Sequence, residues 1–197
     1  MKSVLLYTVG LVLCMLMLGL LPIAGEEEIY ENVIRLHVLA HSDGEEDQAD
    51  KLLVRDAILA TYGSALAGDT TEEAAARVEA LLPSIRELAE NTLAAAGRPQ
   101  PVHVSFTDEV YPERVYGALH FPAGTYHSLR VMIGEGVGQN WWCVLFPPLC
   151  VGSASEEVAV GTPPSPPAGL GAESWRLVSE SGEYEIRFRV LEWLMGA

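Results

Sequence analysis

The chain has 197 residues, of which 49% are hydrophobic and 20% charged, which is typical of a globular protein and excludes wholesale disorder. Its formal net charge is -15 at pH 7, from 27 acidic residues against 12 lysines and arginines. A nucleic-acid-binding protein needs a basic surface to neutralise phosphates, so we exclude that class of function.

The first 25 residues form an apolar segment. After Lys2 the chain carries no charge up to Gly25, and nearly every position in between is apolar. As a helix, the apolar core of this segment would be roughly 27 Å long at about 1.5 Å per residue, close to the hydrocarbon thickness of a bilayer. The acidic run Glu26–Glu28 follows directly, and this charge asymmetry predicts that the rest of the chain lies outside the cytoplasm. We predict that residues 1–25 are a signal peptide or an N-terminal membrane anchor; a helix buried in the domain is the alternative.

The domain begins with an alternating pattern. Between residues 31 and 40 apolar positions alternate with Arg35 and His37, which predicts a strand with one well-buried face. Residues 42–45 then fit a capping box, in which Ser42 and Glu45 cap the start of a helix. We expect this helix to extend to about residue 62.

A second helix is predicted after a second capping box, formed by Thr70 and Glu73. Its apolar residues recur with helical period. Pro83 lies inside the pattern and is expected to kink the helix or divide it in two, and Gly97 and Pro99 are expected to end it.

The rest of the chain is predicted to be mainly β-structure. Apolar residues alternate or run continuously in three stretches, which we predict to be strands: 102–106, 126–133 and 141–146. The glycine-rich residues 134–140 follow a strand, as a phosphate-binding loop would, but no helix comes after them, so we expect a hairpin turn. Residues 184–190 alternate again and predict a last strand.

The order of these elements predicts an α+β fold. We expect a mostly antiparallel sheet with two or three helices packed on one face, preceded by an apolar N-terminal helix. Residues 26–151 would form the main part of a single domain, and residues 175–197 would complete it with the C-terminal strand. The stretch 152–174 between them is rich in proline and glycine and is expected to be a flexible insertion.

His37 and His41 are candidates for a metal site, together with Asp43. Two histidines four positions apart share a face on a helix, but on a strand they lie roughly 13 Å apart. No third ligand is evident, so we predict no metal, no cofactor and no catalytic residues. An exported metal-dependent hydrolase that uses His37 and Asp43 is the alternative.

Two features of the 141–150 region point to packing or to a partner. Trp141 and Trp142 are adjacent, so in a strand they face opposite sides; one fills the core, and the other meets a second layer or a partner. Cys143 and Cys150 either form a disulfide, which would stabilise the domain by about 2–3 kcal/mol, or remain free thiols. Cys14 lies in the apolar segment and can pair with neither.

The sequence resembles the stage II sporulation protein R family from about Val33 to Val151, and again in the final strand. The block from Asn140 to Phe146, followed by Pro147–Cys150, is long and unusual and makes the resemblance specific. The segments that carry it are Ile34–Asp43, Asp47–Gln48, Lys51–Ala57, Tyr111–Gly117 and Leu129–Cys150. His41 departs from the family pattern, where asparagine is expected, and this weakens a metal role for that position.

The resemblance implies a function in signalling and not in catalysis. Members of the family are secreted from the forespore into the space between forespore and mother cell, where they activate a membrane aspartic protease that processes pro-sigma-E. By this resemblance the partners are that protease and the membrane, the latter through the N-terminal segment, which could also tether the chain to the forespore membrane. A purely structural septal protein is a further alternative. The candidates for partner binding, or for its scaffold, are His37, Asp43, Arg55, Asp56, Arg114, Asn140, Trp141 and Trp142.

Overall fold

The computed structural model describes residues 6–11, 13–14, 25–66, 68–149 and 166–180. Residues 6–11 and 13–14 are helical, but within the described ranges no helix is both long enough and apolar enough to cross a membrane. Most of the apolar segment lies outside the described residues, so its role as signal peptide or anchor stays a prediction. The predicted strand at 184–190 and most of the proline-rich stretch also lie outside them.

The described residues form an α+β fold, as predicted, with two successive long helices followed by five strands. In chain order the elements are α1 (Glu26–Asn32), β1 (Ile34–Leu39), α2 (Glu45–Leu66), α3 (Thr71–Ala95), β2 (Val102–Tyr111), β3 (Arg114–Tyr116), β4 (Leu119–Phe121), β5 (Gly124–Ile133), β6 (Asn140–Phe146) and α4 (Ala172–Glu180). The sequence analysis did not predict α1, the short β3 and β4, or α4.

The main sheet has the strand order β2-β5-β1-β6. Strand β1 is parallel to β5 and antiparallel to β6, and β2 is antiparallel to β5, which confirms a mostly antiparallel sheet. The predicted hairpin turn at 134–140 is wrong. Because β1 pairs on both sides and separates β5 from β6, the glycine-rich connection crosses the end of β1 and does not join neighbouring strands.

The first face of the sheet packs against α2 and α3. Apolar residues of β1, β2, β5 and β6 meet Val54 and Ile58 of α2 and Val78, Ile85 and Leu93 of α3 in one buried cluster. The amphipathic pattern of α3 explains this packing, because its apolar stripe faces the sheet. The two helices therefore lie on one face of the sheet, as expected.

The helix starts agree only in part with the predicted capping boxes. The Thr70 hydroxyl accepts a hydrogen bond from Glu73 N at 3.3 Å, as predicted, and α3 continues through Pro83, so its division into two helices is wrong. Helix α2 begins at Glu45, but the Ser42 hydroxyl bonds the Asp47 carboxylate where Glu45 was predicted. Asp47, two positions further along the helix, thus takes the place that was predicted for Glu45.

The second face of the sheet is covered by α1, by the β3–β4 hairpin and by α4. Together with the sheet these elements bury a second cluster that contains Ile29, Val33, Tyr111, Leu119, Phe121, Tyr126, Val144, Leu170, Trp175 and Val178. All six residues of β1 are consequently buried. The prediction that β1 has only one well-buried face, with His37 on the less buried one, is therefore wrong, because the second layer covers the other face.

Candidate functional site

Polar and aromatic side chains converge on the second face of the sheet. In the strand register His37 of β1 lies between Arg130 of β5 and Trp142 of β6. Side chains at paired positions point to the same face, which here is the face opposite α2 and α3. We call the following group the second-face cluster: Arg35, His37, Glu109, Tyr111, Arg114, Arg130, Asn140 and Trp142.

His37 is the buried centre of this cluster. Its Nδ1 lies 3.2 and 3.3 Å from the two carboxylate oxygens of Glu109, and its Nε2 lies 2.8 Å from Asn140 Oδ1. Its ring centroid is 5.5 Å from that of Trp142 and 6.0 Å from that of Tyr111. A carboxylate and an amide oxygen both only accept hydrogen bonds, so in this arrangement Nδ1 donates to Glu109 and Nε2 donates to Asn140. Both ring nitrogens are thus engaged with neighbouring side chains. In this arrangement neither nitrogen is available to bind a metal or to activate a nucleophile.

Glu109 is the one carboxylate of the cluster. Burial works against its ionisation, but hydrogen bonds with His37 and Ser128 and the positive charges of His37 and Arg130 outweigh this effect. The pKa of Glu109 consequently lies below its usual value of 4.5. Its contribution to stability is therefore present above pH 4.5 and is lost as the pH falls through the lowered pKa.

Replacing Glu109 with glutamine is expected to lower the free energy of unfolding at neutral pH, because the amide cannot pair with His37 and Arg130. The difference between the wild type and the variant should shrink as the pH falls below 4.5. Chemical denaturation from about pH 7 to about pH 3 measures it. Asp108→Asn on the same strand is the control, since its exposed pair with His127 is worth little. A difference that does not change with pH would contradict the assignment.

Arg35 is completely buried among aromatic rings. Its guanidinium carbon lies 4.5 Å from the ring centroid of Tyr111, 5.0 Å from that of Tyr126 and 5.4 Å from that of Phe121. One of its terminal nitrogens donates to the Tyr116 hydroxyl at 2.7 Å. Since Tyr116 belongs to β3 and Phe121 to β4, this arginine holds the hairpin against the sheet.

Arg114 joins the hairpin to the same cluster. Its guanidinium carbon lies 3.9 Å from the ring centroid of Trp142, within cation–π distance. Trp142 is half-buried and also contacts Tyr111, with the ring centroids 6.1 Å apart. The second tryptophan of the pair therefore packs against the second layer, which is one of the two roles expected for it.

Four of the eight candidates predicted from the sequence meet in the second-face cluster, and four lie elsewhere. His37, Arg114, Asn140 and Trp142 belong to the cluster. Arg55, Asp56 and Trp141 lie on the side of α2: the guanidinium carbon of Arg55 is 4.8 Å from the Trp141 ring centroid, and Arg55 Nε donates to Asp56 at 2.7 Å. Asp43 lies in the loop before α2.

This loop packs tightly against the glycine-rich connection. Asp43 Oδ1 accepts a hydrogen bond from Gln139 N at 2.8 Å, and Gly138 N donates to Ala40 O at 3.0 Å. The Nδ1 atom of His41 accepts from Glu135 N at 3.0 Å. Asp43 thus fixes the connection that leads into Asn140, but it is not a hydrogen-bond partner of His37.

The sequence analysis missed Arg35, Glu109, Tyr111 and Arg130. Arg35 had a detectable signal, because it lies two positions before His37 on the same face of a strand. Glu109 and Arg130 had none, since only the pairing of β2 with β5 and of β5 with β1 brings them to His37.

Two further predictions concern a metal site and the pairing of the cysteines. Among the described residues no group of three or more His, Cys, Asp or Glu could hold a metal ion. Cys143 is buried and disulfide-bonded, and Cys14 is a free thiol. Cys150 lies outside the described residues, so the Cys143–Cys150 pairing stays a prediction.

Comparison with known proteins identifies the family. The family model described as Stage II sporulation protein R matches residues 30–156, which include the six strands of the described residues and all eight predicted candidates. The chain belongs to the stage II sporulation protein R family. It is 40% identical over 123 residues to Stage II sporulation protein R of Bacillus subtilis (strain 168).

The aligned region covers 62% of this chain and 55% of that relative, so the chain spans about half the length of the curated protein that it matches. No solved structure matches the chain significantly. Membership in the family makes this chain a stage II sporulation protein and supports the sporulation function expected from the sequence.

Proposed function

We propose that the protein is a secreted sporulation signal that binds a membrane aspartic protease and activates it, so that the protease processes pro-sigma-E. The chain acts in the space between forespore and mother cell, either cleaved from its N-terminal segment or tethered by it. It binds its partner and catalyses no reaction itself. The observation that carries this proposal is the family match over residues 30–156.

Two features of the chain agree with this function. The predicted export segment would place the domain outside the cytoplasm, where such a receptor is accessible. A ligand activates a protease when it binds the active state better than the inactive one, and this requires a rigid surface and no chemistry of its own. The outer residues of the second-face cluster offer that surface, because buried residues beneath them hold their side chains by hydrogen bonds and ring contacts on a paired sheet.

The geometry of His37 argues against the alternative of a hydrolase. Its two ring nitrogens are engaged with Glu109 and Asn140, and Asp43 bonds the backbone of Gln139. A site built from His37 and Asp43 would need both side chains to leave these partners. We therefore assign His37 and Asp43 to the support of the binding surface: His37 from beneath it, and Asp43 through the glycine-rich connection.

The proposal is tested by reconstituting the full chain with the membrane aspartic protease in lipid vesicles and measuring cleavage of pro-sigma-E on gels. We expect cleavage to depend on the chain and to fall about tenfold or more with His37→Ala, which loosens Glu109 and Asn140 (about 1.4 kcal/mol per factor of ten). Glu87→Ala on the exposed surface of α3, on the opposite side of the sheet, is the matched control and should retain activation. Circular dichroism checks that each variant is folded.

Two outcomes would overturn the proposal. The first is cleavage of pro-sigma-E at the same rate with and without the chain. The second is hydrolysis by the purified chain alone that requires a stoichiometric metal ion and disappears with His37→Ala, which would instead support the exported hydrolase.

A further inference from the structure

The second-face cluster concentrates positive charge in an acidic protein. It contains three arginines, Arg35, Arg114 and Arg130, against the single carboxylate of Glu109. The whole chain, in contrast, carries a formal net charge of -15 and only 12 lysines and arginines. Since the chain as a whole is acidic, this local excess of arginine marks the cluster as a place where a negatively charged group is less strongly repelled.

The guanidinium groups of these arginines are not saturated. In the described part of the chain five buried side-chain polar atoms lack a hydrogen-bond partner, and four of them belong to this cluster: Nε and Nη1 of Arg35 and the Nε atoms of Arg114 and Arg130. Arg130 Nε faces Glu109 Oε1 at 3.4 Å without hydrogen-bond geometry. Buried N–H donors without an acceptor cost free energy, so four of them in one place show that the cluster has too few acceptors for its donors.

Nearby acids do not fill this role. Helix α1 packs on the same face and carries Glu26, Glu27 and Glu28 in its first turn. Glu28 is bound to the backbone N–H of Gly171 and to the Ser174 hydroxyl of α4. Arg35 remains without a carboxylate partner among the described residues although it is fully buried.

The outer part of the cluster is accessible to a ligand. The side chain of Arg130 is 38% exposed, and Arg114 and Trp142 are half-buried. A guanidinium group presents a planar fork of N–H donors that matches the two oxygens of a carboxylate. The ring of Trp142 already holds the Arg114 guanidinium in place, so less side-chain entropy is lost when a carboxylate binds.

We propose that the second-face cluster binds an acidic segment of a partner protein, whose carboxylates accept hydrogen bonds from Arg114 and Arg130 while Arg35 adds positive charge from the interior. This deepens the proposed function by naming the chemistry that the receptor must present. The binding itself can be measured without the receptor, so the two proposals can fail separately.

The test uses the full chain in detergent micelles and a labelled hexaglutamate peptide as the probe. We expect saturable binding in fluorescence anisotropy that weakens with added salt, and no binding of a hexaglutamine peptide. Arg114→Gln and Arg130→Gln should each raise the dissociation constant about tenfold, since each removes a charge-assisted hydrogen bond. Arg86→Gln on the exposed surface of α3 is the matched control and should leave the constant unchanged.

Charge-preserving variants keep the proposal testable if the glutamine variants unfold. Arg114→Lys and Arg130→Lys retain the charge and lose the fork, so they should bind more weakly than the wild type but more tightly than the glutamine variants. Three results would overturn the proposal: no binding of hexaglutamate by the full chain, an equal loss with Arg86→Gln, or binding that appears only in a chain truncated after Glu180. The last would assign the cluster to carboxylates of this chain's own C-terminal segment.

Discussion

Replacing Arg35 with alanine is expected to lower the free energy of unfolding by about 3–5 kcal/mol. The side chain is fully buried between Tyr111, Tyr116, Phe121 and Tyr126, with ring centroids 4.5–5.6 Å from its guanidinium carbon. Alanine leaves a cavity among these rings and removes both the cation–π contacts and the hydrogen bond to Tyr116. For a domain of this size the melting temperature should fall by about 10 °C.

Arg35→Met separates packing from charge. Methionine has a similar length and fills the space, and it removes a buried charge that has no carboxylate partner among the described residues. We expect it to recover most of the stability that is lost in Arg35→Ala. Thermal melts of the three proteins decide the matter: an alanine variant as stable as the wild type would contradict the role of Arg35 as the centre of the second layer. A methionine variant as unstable as the alanine variant would assign the stability to the cation–π contacts and the Tyr116 hydrogen bond together.

Replacing Gly138 with alanine should be nearly as damaging. An added Cβ would lie 2.5 Å from the carbonyl carbon of Ser42 and closer still to its carbonyl oxygen, so backbone would have to move. The loop before α2 and the glycine-rich connection would separate, which would break the bonds from Gly138 N to Ala40 O and from Gln139 N to Asp43. We expect a loss of about 3 kcal/mol in the free energy of unfolding and a melting temperature lower by about 6–12 °C.

Gly44→Ala provides the control for this prediction. A Cβ at Gly44 would meet the Ser42 hydroxyl at 3.2 Å and Asp47 at 3.7 Å, contacts that small side-chain movements can relieve. The loss should therefore stay below about 1 kcal/mol. Equal melting temperatures for the two variants would contradict the tight packing of the connection. Because Asn140 directly follows this connection, Gly138→Ala should also loosen the hydrogen bond between Asn140 and His37.

The sequence predicted part of the candidate site correctly because some of its residues have a recognisable position in a local strand pattern. His37 and Trp142 each lie in a stretch whose alternation of side chains identifies the polar or spare aromatic position of a strand. Arg114 and Asn140 were included because of the family resemblance, and the structure brings them to the same cluster. The same two criteria, strand alternation and the family resemblance, also selected Arg55, Asp56 and Trp141. Alternation shows that neighbouring side chains point to opposite faces of the sheet, but it does not show which face packs against α2 and α3.

The rest of the site could not be predicted because it depends on strand pairing. Glu109 is 72 positions from His37 in the chain, and Tyr116 is 81 positions from Arg35. These contacts exist because β1 enters between β5 and β6, an order that the local patterns do not determine. The position of β1 between β5 and β6 also made the hairpin prediction for residues 134–140 wrong. A glycine-rich connection has the same sequence pattern whether the two strands that it joins are neighbours or have another strand between them.

By itself the sequence determined the acidic character of the chain, the α+β class and the two long helices, since each follows from composition or from the period of apolar residues. Only the tertiary structure decided which polar residues meet. It placed three arginines on one face around His37, buried Arg35 beneath a second layer and kept Asp43 bonded to the backbone of Gln139. The physical reason is that periodicity assigns a residue to a face of its own element, whereas a site is formed by neighbours across strands, and those neighbours are set by sheet order and register.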